Sequence, residues 1–424
     1  MNITTFNAFK NPNYRLYFSG QSLSLIGTWM QKTAVVWVVY KMTGSAYMLG
    51  VTALATQLPI TLFSIFGGIV SDRFNRYRVL LLTQVLSMIQ AILMAILVLT
   101  GKYQVWEVLT LSVILGTINA FDVPARQPLV HEMITDKEEL PNALALNSSM
   151  VNLAKALGPA LSGIVLKEFG AGICFLINAI SFVAVITSLL MMKLPKHIPS
   201  TNKKKVATDL ADGFAYVKNT PVIGVVMLML AFTSMLVLSY NTLLPVYAKV
   251  IFAGDAATYG YLNGFIGLGS VLGAIFLASL KKGSDLKFVL LVNTVVLGIG
   301  LVLFSHTTYL PVALFFAVIT GFGAMSQTTI SNTIIQFNSA KQMRGRVISI
   351  LLLSIGLLPI GAYFVGAISQ RIGASNMILA QGITAIIIAA AFAKFLSRER
   401  INKKRTEQMT EDEEDAEEVI LEKI

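Results

Sequence analysis

The chain carries the sequence GGIVSDRFNRYR at residues 67–78, between two apolar runs at 46–70 and 79–100. Each run reaches the length of about 20 apolar residues that a helix needs to cross a lipid bilayer. Asp72 falls at the C-terminal end of the first run, where the helix dipole disfavours an acid by about 0.3–1 kcal/mol. Three arginines follow it: Arg73, Arg76 and Arg78. We therefore expect Asp72 to pair with a group from elsewhere in the fold.

The composition of the whole chain is that of a polytopic membrane protein. Of its 424 residues 13% are charged and 55% are hydrophobic, and the mean hydropathy is +0.71, whereas a soluble domain is about 25% charged. The net charge of +11 is spread between the apolar runs, which argues against nucleic-acid binding. The single cysteine, Cys174, and three scattered histidines predict neither a disulfide framework nor a metal site.

The sequence also offers no catalytic or nucleotide-binding motif. It lacks the phosphate-binding pattern G-x-x-x-x-G-K-[ST], so ATP-driven transport is unsupported. No serine or cysteine has a recognisable base partner. We therefore expect no enzymatic activity and no bound cofactor.

Twelve apolar stretches are long enough to span a bilayer. They lie at 16–40, 46–70, 79–100, 105–128, 143–166, 171–192, 221–248, 258–280, 287–305, 309–333, 347–368 and 374–395. The predicted fold is an all-α membrane protein with twelve transmembrane helices in two halves. The expected boundaries are a first bundle at 1–192, a central loop at 193–220 with an amphipathic stretch, a second bundle at 221–395, and a charged tail at 396–424.

The positions of lysine and arginine predict the orientation. If the N-terminus is cytoplasmic, only five basic residues lie on the extracytoplasmic side of the membrane: Lys41, Lys102, Lys167, Lys249 and Arg371. Nearly all the others lie on the side of the termini, and basic residues concentrate on the cytoplasmic side of membrane proteins. We expect both termini to be cytoplasmic. We also expect the first span to be retained, because residues 1–15 are polar and the run that follows is too long for a signal peptide.

Four ionisable side chains fall inside predicted spans, where charges are costly and mark candidate functional sites. Asp122 and Arg126 are four residues apart on one helical face and can pair. Asp122 could carry a proton, or it could be a structural partner of Arg126 and Arg76. Lys32 and Lys155 form the better cavity pair and would attract an anion, unless one of them is neutral or snorkels. Spans 1, 4 and 5 are therefore expected to border a polar cavity.

Uncharged polar residues extend the candidate substrate cavity. They are Gln31, beside Lys32, and Tyr240, Asn241, Gln327 and Asn332 in the second half. Such groups can hydrogen-bond a large polar ligand, or they can tie helices to one another. The sequence leaves both interpretations open.

The stretch at 67–78 resembles the loop signature between helices 2 and 3 of the major facilitator superfamily, G-x-x-x-D-R-x-G-R-[RK]. Gly68, Asp72, Arg73 and Arg76 stand in register, and Asn75 occupies the usual glycine position. The resemblance implies two pseudo-symmetric six-helix bundles, which rock about a midplane cavity between inward-open and outward-open states.

The resemblance also implies a latch on the cytoplasmic side. The acid docks against the N-terminus of helix 11, so Asp72 is expected close to Arg344 or Arg346. The second arginine of the motif, Arg76, is expected to pair with helix 4. We expect Asp122 and Arg126 of predicted span 4 to belong to this latch. The latch would stabilise the outward-open state.

Predicted span 5 is similar to the antiporter motif of the superfamily, G-x-x-x-G-P-x-x-G-G. Gly158, Pro159 and Gly163 match it, while Ala154 and Ser162 replace two glycines. The motif implies proton-coupled export. The alternative is a proline-kinked helix with small residues that allow close packing.

Several further stretches look like the enterobactin-exporter and macrolide-efflux branch of the superfamily: 119–127, 142–147, 178–182 and 344–347, with Gln336. That resemblance implies a monomer in the bacterial inner membrane that exports a siderophore or hydrophobic drug by using the proton-motive force. The two cavity lysines favour an anionic small molecule. Two alternatives stay open, a lysophospholipid flippase or importer and a non-transporting sensor or scaffold whose acidic tail binds a partner.

Overall fold

A computed structural model describes residues 4–134, 138–193, 206–281 and 283–421 as helices joined by short turns, with no β-strand in these ranges. The first half contains a 3₁₀ turn, Thr4–Lys10, and the helices α1 Pro12–Thr43, α2 Ala46–Arg73, α3 Arg76–Leu99, α4 Val105–Met133, α5 Leu140–Glu168 and α6 Ala171–Met191. A short helix, α7 Val206–Asn219, follows. The second half contains α8 Pro221–Phe232, α9 Leu244–Val246, α10 Ala256–Ala278, α11 Leu286–Ser305, α12 Leu310–Asn338, α13 Arg344–Ile355, α14 Leu358–Ile372 and α15 Ala374–Leu421.

The predicted all-α membrane architecture is confirmed. Within the described ranges, 11 helical segments are long and apolar enough to cross a membrane. α1 is not among them, although its 32 residues cover predicted span 16–40 and it packs against α5 and α6. α15 continues through the charged tail, so the tail backbone is helical as far as Leu421.

Local chemistry explains where the helices begin and end. The Asn11 side chain accepts hydrogen bonds from the backbone N–H groups of Asn13 and Tyr14, and Pro12 occupies the first position of α1, where its missing N–H costs nothing. α1 ends at Gly44, whose φ of 60° suits a residue without a Cβ atom. Asn75 accepts from the N–H of Arg78 at 3.2 Å and caps α3. The asparagine at the motif's usual glycine position therefore starts the next helix.

The seventh predicted span is a broken helix rather than a continuous one. After α8 the backbone forms a π turn at Thr233–Val237, a 3₁₀ turn at Leu238–Leu243, the short α9 and a second π turn at Tyr247–Ile251. Such a break frees backbone carbonyls that lipid cannot satisfy. Gln381 of α15 supplies the missing donor, because its Nε2 lies 3.2 Å from the carbonyl of Leu236 and 3.3 Å from that of Val237.

The eleventh predicted span is also interrupted. α13 ends at Ile355, and α14 begins after two intervening residues, with Pro359 in its first turn. Gly361 then lies directly on the backbone of Met235 in the π turn, where a Cβ atom would overlap the Met235 carbonyl. The two broken segments therefore pack against each other at their irregular parts.

The first half is held together by close helix contacts at glycine. A Cβ atom on Gly67 of α2 would overlap the carbonyl oxygen of Ala120 on α4. On the same pair of helices, a Cβ atom on Gly116 would lie 2.7 Å from the carbonyl oxygen of Thr56. Small residues at such contacts let backbones approach closely, which drives helix association in membranes. A Cβ atom on the adjacent Gly68, by contrast, would meet nothing within 4 Å.

The two neighbouring glycines allow a matched stability test. We expect Gly67→Ala to lower the unfolding temperature in detergent, because α2 and α4 must separate to admit the methyl group, at a cost of about 1–3 kcal/mol. Gly68→Ala adds the same methyl group in open space and should leave the temperature unchanged. Thermal unfolding of the two purified variants checks this, and equal behaviour would refute the contact.

Candidate functional site

The basic turns of the chain gather on one face of the bundle, which we call the terminal face. α1 begins there, and later crossings return the chain to it at residues 74–75, 206–220 and 339–343. The other ends of the helices form the opposite face. Both faces matter, because the resemblance to the major facilitator superfamily implies that one face opens while the other closes.

On the terminal face, Arg76 joins α3 to α4, as predicted, but its partner on α4 is a different acid. Its guanidinium lies 2.8 Å from the Glu132 carboxylate and 3.5 Å from Asp72. The expected pairing of Arg76 with Asp122 is corrected, because Asp122 lies deeper in α4 and bonds to other residues. Glu132 was missed in the sequence, although an acid in the last turn of α4 beside a basic loop is a usable signal.

The expected approach of Asp72 to α13 is absent in this conformation. Within the described ranges no ion pair joins Asp72 to Arg344 or Arg346. The Asp72 side chain is 61% exposed, and Arg346 pairs instead with Asp212 of α7 at 3.3 Å. α7 therefore packs against α13, where the Ala340 N–H also donates to the Tyr216 hydroxyl at 3.1 Å.

Both predicted sides of the latch are nevertheless accessible. Gly68 and Asp72 are four residues apart and share one face of α2, and a Cβ atom on Gly68 would meet nothing within 4 Å. The same is true of Gly345 in the first turn of α13. α13 begins without a side-chain cap and without an acid in its first turn, so its N–H groups and its dipole offer a place for a carboxylate.

On the opposite face the two halves are in close contact. α5 packs on α10, with a Cβ atom on Gly163 only 2.5 Å from the Cα of Gly260. α2 packs on α14, with a Cβ atom on Gly366 only 2.5 Å from the carbonyl oxygen of Ala46. The rings of Trp37 and Tyr259 stack at 5.7 Å between α1 and α10. The structure is therefore closed at the opposite face, while the latch on the terminal face is not engaged.

An ion pair borders this closed face. Lys167, at the end of α5, lies 3.6 Å from Asp255, which caps α10 by accepting hydrogen bonds from the N–H groups of Ala257 and Thr258. Partial burial raises the pKa of Asp255, but the Thr258 N–H and the positive charge of Lys167 outweigh it, so the net pKa lies below the usual range. Neither residue was predicted as a site residue from the sequence.

Between the two faces, Lys32 and Lys155 meet at one aromatic ring. The Lys32 Nζ lies 4.4 Å and the Lys155 Nζ 5.7 Å from the centre of the Trp29 ring, within the range of cation–π attraction. Gly158 of α5 fixes the tryptophan, because a Cβ atom there would overlap that of Trp29. The predicted lysine pair thus lies at the interface of α1 and α5. Trp29, three residues before Lys32, was missed.

Lys155 lies on the inner side of α5. Its helix exposes Leu157 and Leu161 on the outer side and contacts α10 through Ala156. Around the axis of α5, Lys155 lies between Gly158, which contacts α1, and Ala156, which contacts α10, and its side chain is exposed. Lys32 lines a small recess between α1, α2 and α4, together with Thr56, Ser112, Gly116 and Asn119. Both ammonium groups are therefore available to the space between the halves.

Gln31 lines the same recess as Lys32, and its amide also has a structural role. It is 0% exposed, and both ends of its amide are used. Its Nε2 donates to Gln90 at 2.8 Å, and its Oε1 accepts from Asn178 at 2.7 Å. The three amides tie α1, α3 and α6 together, which is the helix-linking alternative that the sequence left open.

The polar residues predicted for the second half divide into two classes. Tyr240 and Gln327 are 1% and 0% exposed, so we correct their assignment to the open cavity. Tyr240 packs with Phe304 and Ala317 in the hydrophobic core. Asn241 is exposed and Asn332 is partly buried, with its Oδ1 accepting from Gln336 at 2.8 Å. Both stay candidates for substrate contact.

The residues of the antiporter-like motif lie at two helix interfaces. Gly158 faces α1, and Gly163 faces α10. Ser162, in place of a glycine, donates to the carbonyl oxygen of Met30 at 3.1 Å. Pro159 is buried inside α5, which remains one helix from Leu140 to Glu168. The motif thus mediates contacts of α5 with both halves, on the side of the bundle that is closed.

Sequence comparison supports the architecture and the class of protein. The family described as transmembrane secretion effector matches residues 3–421. The chain belongs to this family of the major facilitator superfamily. It is therefore a secondary transporter, not an enzyme, and a multi-pass protein of a bacterial membrane that acts on a small molecule. The predicted superfamily and its drug- and siderophore-transporting branch are confirmed.

The transporter has relatives that cover nearly its whole length. It is 25% identical to the staphyloferrin A transporter of Staphylococcus aureus, over 89% of this chain and 95% of the relative. It is 21% identical to macrolide efflux protein A of Streptococcus pyogenes, over 90% of this chain and 96% of the relative. Its fold is similar to that of a bacterial homolog of the human lysosomal transporter Spinster in an inward-facing, unoccupied conformation, with a TM-score of 0.69 and 15% identity over 91% of this chain and 97% of the other.

The Lys167–Asp255 pair predicts how acid affects the closed face. Because the pKa of Asp255 is lowered in the closed state, the pair contributes its stability above the ordinary aspartate pKa of about 3.9 and loses it as the pH falls through the lower closed-state value. Between about pH 5 and 8 closure should not respond to this group. Asp255→Asn should destabilise the closed state over this whole pH range. The effect should be at most about 1 kcal/mol, or fivefold in the ratio of closed to open protein, because the pair is half exposed.

The emission of Trp37, stacked on Tyr259, reports closure once Trp29 and Trp106 are replaced by Phe. Lys249→Gln removes another basic residue from the same face and serves as the control. If Asp255→Asn leaves the Trp37 emission unchanged, the pair does not stabilise the closed face.

Proposed function

We propose that this transporter exports a siderophore or a hydrophobic drug such as a macrolide in exchange for protons, with both termini in the cytoplasm. The observation that carries the proposal is the combination of a closed opposite face, an unengaged latch and two lysines between them. The relatives that transport staphyloferrin A and export macrolides are consistent with it. In this assignment the terminal face is cytoplasmic, as the distribution of lysine and arginine predicts.

The latch operates when the cytoplasmic side closes. Asp72 then leaves Arg76 and docks at the N-terminus of α13, where uncapped N–H groups and the helix dipole favour a carboxylate. Arg76 remains bound to Glu132 and holds α3 on α4. Arg344 and Arg346 add positive charge near the docking place. In this assignment the conformation described is inward-open, and Asp72 is exposed and can change partners.

The substrate binds between the halves near Trp29. Lys32 and Lys155 supply two positive charges, and the ring between them supplies an apolar face. Within the described spans no acid lies against this ring, so the site favours an anion or an uncharged aromatic group over a cation. Asn241 and Asn332 would contact the ligand from the second half.

Loss of the latch acid should stop transport without unfolding the protein. Asp72→Asn removes the charge that docks at α13, so the cytoplasmic side closes less often, and we expect turnover to fall at least tenfold. Proton flux into proteoliposomes, read with a pH-sensitive dye during challenge with a catecholate siderophore or a macrolide, measures it. The unfolding temperature should stay within about a degree or two, because an exposed charge contributes little to stability.

Glu168→Gln is the matched control, since it removes an acid from the other end of the bundle. Wild-type flux in the Asp72→Asn protein would eliminate the latch. A complete absence of flux with either ligand in the wild type would instead contradict proton-coupled export, and lysophospholipid flipping would then be the next activity to assay.

The two lysines should discriminate between ligands by charge. We expect Lys32→Gln and Lys155→Gln each to weaken binding of an anionic siderophore about fivefold to fiftyfold, in line with a charge-assisted contact of about 1–2.5 kcal/mol. A neutral ligand should lose less than threefold. Ligand titrations of the purified variants measure both. An equal loss of affinity for charged and neutral ligands would show that the lysines have only a structural role.

A further inference from the structure

Asp122 differs from every other charged residue whose side chain the structure describes. It is 1% exposed, and in those parts of the chain no other charged residue is buried. It lies in the interior of α4, ten residues before Glu132 of the latch. An ionisable group at such a depth is costly, and it persists where it has a function. Since the latch does not use Asp122, its role is open.

The surroundings of Asp122 suit both of its protonation states. One carboxylate oxygen accepts from the Thr83 hydroxyl at 3.0 Å and from the Gln84 amide at 2.6 Å, and the other contacts Arg126. These donors stabilise the anion. The Gln84 Oε1 is buried and has no hydrogen-bond partner. It belongs to the same amide that holds the carboxylate, so it is available as an acceptor for a protonated Asp122.

Arg126 also has an alternative neighbour. Its Nε is buried without a hydrogen-bond partner, as is the hydroxyl of Tyr17 on α1. The two side chains lie on α4 and α1, which pack against each other. When Asp122 is neutral, the guanidinium can turn toward this hydroxyl, so that release of the ion pair does not leave a cation without polar contacts.

A small recess between α1, α2 and α4 lies near the pair. Asn119 lies one turn before Asp122 on α4 and lines the recess that contains Lys32. Arg126 and Lys32 interact electrostatically. The recess adjoins the Trp29 ring through Lys32. The recess beside the pair and the proposed substrate site are therefore neighbours.

Among the ionisable groups of the elements packed against α4, Tyr17 and Lys32 lie near Arg126, and the others lie at helix ends or on α5. α2 carries Asp72 and Arg73 in its last turn, and α3 carries Arg76 and Arg78 in its first turn, all on the terminal face. α1 contributes Tyr17 and Lys32, and α5 contributes Lys155. On α4 itself, Glu107 lies in the first turn, and His131 and Glu132 lie in the last. Arg126 is thus the cation that holds Asp122 ionised.

We propose that Asp122 is the residue that takes up and releases the transported proton, with Arg126 as its exchangeable counter-ion. A proton from water adds to the carboxylate oxygen that faces Arg126 and breaks the ion pair. Release of the proton to water re-forms the pair, as in the conformation described. The proposal rests on the proton coupling proposed above, and it separates the proton site from the latch acid Asp72.

The first test reads proton binding without any substrate. With Trp37 and Trp106 replaced by Phe, Trp29 is the remaining tryptophan, and Lys32 links it to Arg126. We expect its emission to change with pH as Asp122 takes up its proton. Asp122→Asn should abolish that titration, and Asp72→Asn should leave it in place. An unchanged titration in Asp122→Asn overturns the proposal.

A second variant tests the proposal even if Asp122→Asn misfolds. Arg126→Gln keeps the carboxyl group and removes its cation, so the titration midpoint must move to higher pH. A midpoint that does not move overturns the proposal even if Asp122→Asn cannot be purified. Asp122→Glu restores an acid, and its titration should return.

Transport assays then test whether the bound proton is the coupled one. Asp122→Asn should retain exchange of a catecholate siderophore or a macrolide between the two sides of a proteoliposome and lose ligand-dependent proton flux at least tenfold. Normal proton flux in this variant refutes the proposal. A lack of flux in the wild type refutes the proposed function itself, and the Trp29 titration distinguishes that outcome from a mistaken choice of residue.

Discussion

Backbone-to-backbone contact at glycine is the constraint on which this arrangement depends. Lipid tails are as apolar as leucine, so helices in a bilayer gain little from burying apolar side chains against one another, and they associate by close packing. At the opposite face, Gly163 meets Gly260, and Gly366 meets Gly50. Side chains at these positions would force the two halves apart. The terminal face has no comparable contact at Gly68 or Gly345, which is why the two faces differ.

The bilayer also determines where polar groups lie. Gln31, Gln90 and Asn178 satisfy one another between helices, and Gln381 satisfies the carbonyls that the broken seventh span exposes. In both cases an amide replaces the hydrogen bonds that water would provide. The irregular backbone at Thr233–Val237 is therefore supported by the protein, and it contacts the second interrupted span at Gly361.

The two acids of the first half have opposite environments, and this separates their roles. Asp72 is largely exposed at the end of α2, where a small movement can exchange one partner for another. Asp122 is enclosed by Thr83, Gln84 and Arg126, where a change of protonation has a large electrostatic effect. Lys32 and Trp29 lie between the buried pair and the space between the halves, so a change at Asp122 can reach a ligand over a short distance.

The sequence by itself determined the architecture and the identity of the candidate charges. Apolar runs of spanning length, the bias of lysine and arginine and the stretch at 67–78 suffice for this, because the bilayer imposes length and polarity on each helix separately. Only the tertiary structure decided the partners. Arg76 selects Glu132 instead of Asp122, the Gln31 amide ties helices at the edge of the recess, and Trp29 joins the two lysines. Such contacts depend on how helices rotate and approach, and close packing between distant segments sets both.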